Sequence, residues 1–272
     1  MRYPIGMSSG RRLSIPRFSH AILAFLLIQI AGIPMIANAA ENPPRVFMIG
    51  DSTVADKNLD GGNPERGWGQ LLPGFFQDGV KVENHAKDGR SSKSFFDEGL
   101  WAPVVADLKP GDWLVIQFGH NDQKKDKPLL YTNADTGYRD FLTKYVKEAQ
   151  AKGAHPILAT SIYRCSFTPE GKPKPSLQAY PEATRQTAAK LGVPLVDLNE
   201  MTRQLLETLG PEKSKSLFLH YAPGEIPFYP NGKNDNTHLC EEGAKTISSL
   251  FVESLKTRNI DLARWLKATS KK

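Results

Sequence analysis

The chain has 272 residues, of which 40% are hydrophobic, 24% charged and 9% aromatic, a globular composition that excludes a collagenous or disordered protein. Two cysteines exclude a disulfide-dense scaffold. The length suits one large domain or two small ones, and the formal net charge of +6 would suit a nucleic-acid binder if it belonged to the folded part.

It belongs in good part to the amino terminus. Residues 1–39 carry Arg2, Arg11, Arg12 and Arg17 and no acidic residue, then the apolar run Ala21–Ala31, then Gly32, Pro34 and the small-residue site Ala37-Asn38-Ala39. A basic segment, a short apolar core and an A-x-A site predict a secretory signal peptide. A membrane anchor would need about 20 apolar residues, and Gly32 and Pro34 interrupt the run. Arg11-Arg12 permits a twin-arginine export reading, which the following LSIP fits poorly. Cleavage after Ala39 leaves residues 40–272 as one domain, with 31 basic against 29 acidic residues, a net charge of +2. A protein so balanced is expected to bind no nucleic acid. Once cleaved, it is also expected to hold no stable place on a membrane. The expected destination is the periplasm or the medium.

The elements alternate from there. Arg45–Gly50 (RVFMIG) reads as a buried strand, Trp68–Phe76 as helical, Val80–Asn84 as a short strand, and Ser91–Leu108 as containing a helix around Phe95, Phe96 and Leu100. Trp113–Gly119 (WLVIQFG) is the clearest strand. In Tyr138–Lys152 the residues Phe141, Leu142, Tyr145, Val146 and Ala149 share one helical face. Pro156–Tyr163 and Val193–Asp197 read as strands, Pro181–Leu191 and Glu241–Lys256 as helices, and Thr168–Pro175 and His220–Asn236 as long loops. Strands alternating with helices predict a five-stranded parallel sheet in an α/β/α sandwich.

In such sheets ligands bind beyond the carboxyl ends of the strands. There the sequence places Gly50-Asp51-Ser52-Thr53, Asn84–Ser92, Gly119-His120-Asn121-Asp122 and, before the last helix, Asp235-Asn236-Thr237-His238. A serine becomes a nucleophile when a histidine takes its proton and a carboxylate orients the histidine. Ser52, His238 and Asp235 can fill those roles, the last two being close enough in sequence for a single turn to join them. Backbone N–H groups of Ser52 and Gly89 and the amide of Asn121 can face a developing oxyanion. Each residue also has a plainer use: Ser52 as a helix N-cap, Gly89 and Asn121 in turns, His238 on the surface.

Together these blocks resemble the SGNH (GDSL-type) hydrolases. The marks Gly50-Asp51-Ser52-Thr53, Gly67-Trp68-Gly69, Gly89-Arg90-Ser91-Ser92, Ser94-Phe95 and Gly243-Ala244 make the chain similar to their rhamnogalacturonan acetylesterase branch over about residues 45–257. The resemblance implies a flavodoxin-like sheet and a shallow, open site. It also implies Ser52, Asp235 and His238 as catalytic residues, Ser52, Gly89 and Asn121 as oxyanion hole, and removal of O-acetyl groups from pectic polysaccharide through an acetyl-serine intermediate. No metal or organic cofactor is implied, the partner is an acetylated polysaccharide or oligosaccharide, and a monomer is expected. The competing readings are an acetylxylan esterase, a GDSL lipase, lysophospholipase or acyl-thioesterase, and a noncatalytic polysaccharide-binding protein.

Other residues have two readings each. Arg90 and Arg164 could meet uronate carboxylates or form internal ion pairs. Trp68 and Trp101 could stack on sugars or pack in the core. The run Lys124-Lys125-Asp126-Lys127 could attract an anionic polymer or be a solvated loop, and His120 is expected to be a structural hydrogen-bonder. Cys165 and Cys240 are both expected at the catalytic edge. An exported protein permits a bridge between them, which would close about 75 residues and contribute roughly 4–4.5 kcal/mol.

Overall fold

The computed structural model describes residues 42–177 and 179–268; the expected signal peptide lies outside the described residues. In chain order the strands are β1 (Arg45–Gly50), β2 (Glu65–Arg66), β3 (Lys81–Asn84), β4 (Trp113–Gln117), β5 (His155–Ala159), β6 (Leu195–Val196), β7 (Phe218–Tyr221) and β8 (Lys233–Cys240). The α-helices are α1 (Trp68–Leu71), α2 (Ser92–Asp97), α3 (Trp101–Asp107), α4 (Gly137–Ala151), α5 (Tyr180–Leu191), α6 (Leu198–Ser214) and α7 (Glu241–Thr257).

Five strands form a parallel sheet in the order β3-β1-β4-β5-β6, the flavodoxin-like arrangement, whose order reverses between β1 and β4. Apolar residues alternate across it. Val46 and Met48 of β1 join Val115, Ile157 and Val196 against Trp68, Leu206, Ile247 and Phe251 of α1, α6 and α7. Phe47 and Ile49 join Leu114, Ile116 and Leu158 against Phe95, Trp101, Tyr145 and Ala183 of α2 to α5. Both faces are therefore dry, which explains the continuous apolar strands.

Three features differ from the sequence expectation. The stretch Ser91–Leu108 is two helices, with Gly99 between them. A helix unread in the sequence, α6, runs from Leu198 and is capped by the Asp197 carboxylate accepting from the Glu200 N–H; the non-helical Gly210 before Pro211 interrupts its periodicity. The expected loop 220–236 is loop only over 222–232; its two ends belong to β7 and β8 of a second sheet, antiparallel in the order β2-β8-β7. β8 reads KNDNTHLC, a polar strand whose pairing comes from its neighbours and not from an apolar pattern.

Helix α7 rests closely on the segment leading into β7. A β-carbon on Gly243 would lie 1.8 Å from the Leu217 carbonyl oxygen, and Ser248 Oγ donates to the Trp68 carbonyl at 2.6 Å. Gly243→Ala is expected to lower the unfolding free energy by roughly 1–3 kcal/mol or more through overpacking against backbone. Urea denaturation measures this, and an unaltered midpoint would refute the close approach.

Candidate active site

After β1 the chain makes a tight turn. Asp51 Oδ1 accepts from the Thr53 N–H at 3.0 Å and Thr53 Oγ1 at 2.8 Å, and the Asp51 carbonyl accepts from the N–H groups of Val54 and Ala55. This sets Ser52 at the carboxyl edge of the sheet without making it a helix cap, since the next α-helix begins at Trp68 behind Gly67. Below the turn, Gln117 Nε2 donates to Thr53 Oγ1 at 2.7 Å and Trp68 Nε1 donates to Gln117 Oε1 at 3.0 Å.

The second sheet carries Asp235 and His238. Along β7 and β8, Phe218 faces Leu239 but the next residue, Leu219, faces Asp235, so Asn236, Thr237 and His238 bulge out of the ladder. Asp235 closes the bulge. Its Oδ1 accepts from the N–H groups of Thr237 (2.8 Å) and His238 (3.0 Å), and its Oδ2 faces His238 Nδ1 at 2.9 Å. The other ring nitrogen, Nε2, lies 2.9 Å from Ser52 Oγ. Burial alone would raise the Asp235 carboxyl, but the hydrogen bonds from His238 and Thr237 outweigh it and hold it far below the usual range. Burial would likewise lower His238; the bond to Asp235 and its negative charge prevail and raise it above the ordinary 6.5.

Three N–H donors stand on loops after the parallel strands. Lys87–Arg90 is a turn closed by the Arg90 N–H on the Lys87 carbonyl, with Gly89 at φ +76°, a conformation glycine adopts at no steric cost. Among the described residues the N–H groups of Ser52 and Gly89 donate to no protein acceptor. Asn121 Nδ2 donates one hydrogen to the Arg90 carbonyl at 2.9 Å, which leaves the other. Lys124 Nζ donates to Asn121 Oδ1 at 2.5 Å, fixing which end of the amide is the donor. The Lys124 run is thus more than a solvated loop, a role legible only once the chain folds back on Asn121. Lys57 was also missed. Its side chain is only 4% exposed and pairs with Asp88 (2.5 Å) and Glu65 (2.8 Å), tying the Gly89 turn to β2.

Several expected site residues are placed elsewhere. Trp68 is fully buried in the core and cannot touch a substrate. Trp101 is buried too, with Nε1 on Glu148 Oε2. Arg90 is paired with Glu98 at 2.8 Å and donates to the Asp88 carbonyl, an internal ion pair on a side chain that is one-third exposed. Arg164 donates to Thr237 Oγ1 at 3.1 Å and to Ser176, bracing the bulge. His120 faces the Asp51 carboxylate at 3.1 Å and the Ile162 carbonyl at 3.2 Å; with an acceptor at each nitrogen it is no second base. The Cys165–Cys240 bridge is not formed. The Cys165 N–H bonds to the Asn236 carbonyl at the start of the bulge, while Cys240 lies beyond its end, pairs with Glu65 and turns Sγ to the Ser216 carbonyl. Among the described residues no group of three or more His, Cys, Asp or Glu is placed to hold a metal, and no helix is long and apolar enough to cross a membrane.

A family model described as the GDSL-like lipase/acylhydrolase family matches residues 48–245, from β1 into α7. The chain belongs to that family. This GDSL-like hydrolase is 41% identical over 222 residues to a rhamnogalacturonan acetylesterase of Bacillus subtilis, covering 82% of the present chain and 94% of the relative. It is similar in structure to the Bacillus subtilis protein YxiM, with a TM-score of 0.66 and 25% identity over 80% of the chain; it spans 57% of that solved chain. An acetylxylan esterase from Geobacillus stearothermophilus shares the fold, with a TM-score of 0.56 at 18% identity over 78% of this chain and 94% of that one.

One buried acid of the GDSL-like hydrolase takes no part in the Ser52–His238–Asp235 chain. Asp122 Oδ1 accepts from the Ser92 N–H (2.9 Å), Ser92 Oγ (2.5 Å) and Thr132 Oγ1 (3.2 Å), joining the Gly89 and Asn121 segments, while Oδ2 meets no partner. Burial raises its carboxyl to about 7, against the lowering effect of the Ser92 bonds. Between the ordinary 3.8 and about 7 the folded chain therefore holds a proton here that the unfolded chain has lost. Stability falls as pH rises through that window. Asp122→Asn has no such titration. The wild-type unfolding free energy is expected to lose ground relative to Asp122→Asn from about pH 4 to about pH 7, as read by denaturation at stepped pH. A pH-independent difference would overturn this.

Proposed function

We propose that the chain is a serine esterase that removes O-acetyl groups from a pectic, rhamnogalacturonan-type polysaccharide. The observation that carries the chemistry is the unbroken chain from Ser52 Oγ to His238 Nε2 and from His238 Nδ1 to Asp235 Oδ2. The carbohydrate assignment is supported by the 41% identical relative named a rhamnogalacturonan acetylesterase and by the acetylxylan esterase that shares the fold.

Ser52 gives its proton to His238 as it attacks the acetyl carbonyl. The tetrahedral oxyanion is met by the N–H groups of Ser52 and Gly89 and the free hydrogen of Asn121 Nδ2, with the Lys124 ammonium on the far side of that amide increasing its polarity. The C–O bond to the sugar breaks as His238 returns the proton to the departing hydroxyl, leaving acetyl-Ser52. Water, deprotonated by His238, then releases acetate and restores the serine. Asp235 stays ionised and holds the imidazole in the tautomer that accepts at Nε2. Residues 1–39 are read as an export signal, with the mature chain beginning at Ala40.

The wild-type protein is expected to release acetate faster from acetylated rhamnogalacturonan than from acetylated xylan, and to cleave p-nitrophenyl acetate faster than the octanoate. Ser52→Ala serves as the blank. Faster octanoate turnover, or activity retained without Ser52, would overturn this reading.

His238 must be neutral to accept the proton, and its raised pKa puts the acidic limb of kcat/KM above the ordinary imidazole range. Asp235→Asn removes the carboxylate that raises it most and leaves burial and Lys57, which lower it, opposed only by Glu65. The limb is therefore expected to move to lower pH while the maximal rate falls on the order of 10⁴-fold. A limb that keeps its position in the variant would remove Asp235 from this role.

A further inference from the structure

Among the described residues, three large apolar side chains are exposed: Leu59 (45%), Leu129 (79%) and Phe228 (37%). All three lie on loops of the candidate site. Leu59 follows β1 and Ser52, Leu129 follows β4 and Asn121, and Phe228 is on the loop that joins β7 to β8 and leads into Asp235. Of the three, Phe228 has an aromatic neighbourhood that can be followed residue by residue.

The Phe228 loop is organised around its rings. Phe228 and Tyr229 stand 5.0 Å apart with planes at 80°, and Tyr229 lies 5.9 Å from Tyr221. The Phe228 ring also lies against the loop after β1, where a β-carbon on Gly61 would meet it at 3.8 Å. Lys233 connects these rings to the proton relay, its Nζ being 5.6 Å from the Tyr229 centroid and 3.7 Å from Asp235 Oδ2. The loop is held rigid by Pro223, Pro227 and Pro230 and by hydrogen bonds from Gly224 to Pro230, from Gly232 to Tyr229 and from the Ala222 N–H to Glu225. A ring surface fixed before binding loses little entropy when it is covered.

The surroundings select the occupant. Beside Tyr229 stands the Lys233 ammonium, and the loop after β1 that Phe228 lies against carries the amides of Asn58 and Asn63 and the carboxylate of Asp60, which bond to one another. An acyl chain would require a continuous apolar wall. A pyranose offers a C–H face to an aromatic ring and hydroxyls around its rim to amides and charges. We propose that Phe228 and Tyr229 form a stacking subsite for a sugar ring of the polysaccharide chain, adjoining the acetylated residue held at Ser52; this subsite rests on the esterase reading given above.

Phe228→Ala tests it, with Phe228→Trp as the conservative partner. For an acetylated rhamnogalacturonan oligosaccharide, Phe228→Ala is expected to raise KM about three- to tenfold, the range of ring-contact energies. The kcat on that substrate, kcat/KM on p-nitrophenyl acetate and the thermal midpoint should be unchanged, and Phe228→Trp should restore KM. Calorimetric titration with the deacetylated oligosaccharide should show the same loss of affinity. Unchanged KM and affinity would overturn the subsite, as would a loss confined to p-nitrophenyl octanoate, which would make Phe228 an acyl contact. A wild-type protein that releases no acetate from acetylated polysaccharide would defeat the esterase reading alone, while the calorimetric comparison would still decide the subsite.

Discussion

Asp235 makes three hydrogen bonds with two oxygens, and the site depends on them. Oδ1 takes the N–H groups of Thr237 and His238, so that these residues leave the β8 ladder with their N–H groups still paired. Oδ2 takes the ring of His238 and aims its far nitrogen at Ser52. One carboxylate therefore shapes the bulge, sets the tautomer and raises the basicity of the imidazole. Ser52 is carried by the parallel sheet and His238 by the antiparallel one, so their meeting also needs the two sheets held in register. The Arg164 bond to Thr237, the Cys165 bond to Asn236 and the close rest of Gly243 on Leu217 do that.

The same edge concentrates buried charge. Asp51, fully buried, would be raised by its burial, but His120 and the N–H and O–H of Thr53 pull it to about 2. Asp122, also fully buried, has no cation beside it and is pushed to about 7. The two acids belong to adjacent site segments, and the difference between them is a matter of partners: paired charge persists in a low-dielectric interior, unpaired charge is neutralised. Lys57 is the cationic counterpart, its side chain buried and paired with Asp88 and Glu65. These groups touch no reacting atom, yet they fix the Ser52 turn, the Gly89 turn and the Asn121 loop against one another.

Two layers thus surround Ser52. The inner one is hydrogen-bonded, and among the described residues it leaves the N–H groups of Ser52 and Gly89 and one hydrogen of Asn121 Nδ2 without a protein acceptor. The outer one is a rim of loops that mixes ring faces with amides and charges. Lys124 spans both, its ammonium on the Asn121 amide and its loop on the rim.

Much of this was legible in the chain itself. The continuous apolar runs determined the parallel sheet, because strands buried on both faces carry no polar alternation, and the blocks after the strands determined Ser52, Gly89 and Asn121, because a parallel sheet brings all its carboxyl ends to one edge. Asp235 and His238 were readable as a pair from their spacing. Their setting was not, since β8 is polar and only its pairing with β2 and β7 makes it a strand. Trp68, Arg90 and Arg164 show the other limit: a side chain's type fixes what it can bind, but whether it meets a substrate or an internal partner depends on distances between segments far apart in sequence. The pairing of Cys165 with Cys240 failed for that reason, both residues reaching the same edge but opposite ends of one bulge. Sequence determined the chemistry and the edge at which it gathers; tertiary structure decided which donors remain free, which charges are paired and which rings face outward, because each depends on contacts that local pattern does not encode.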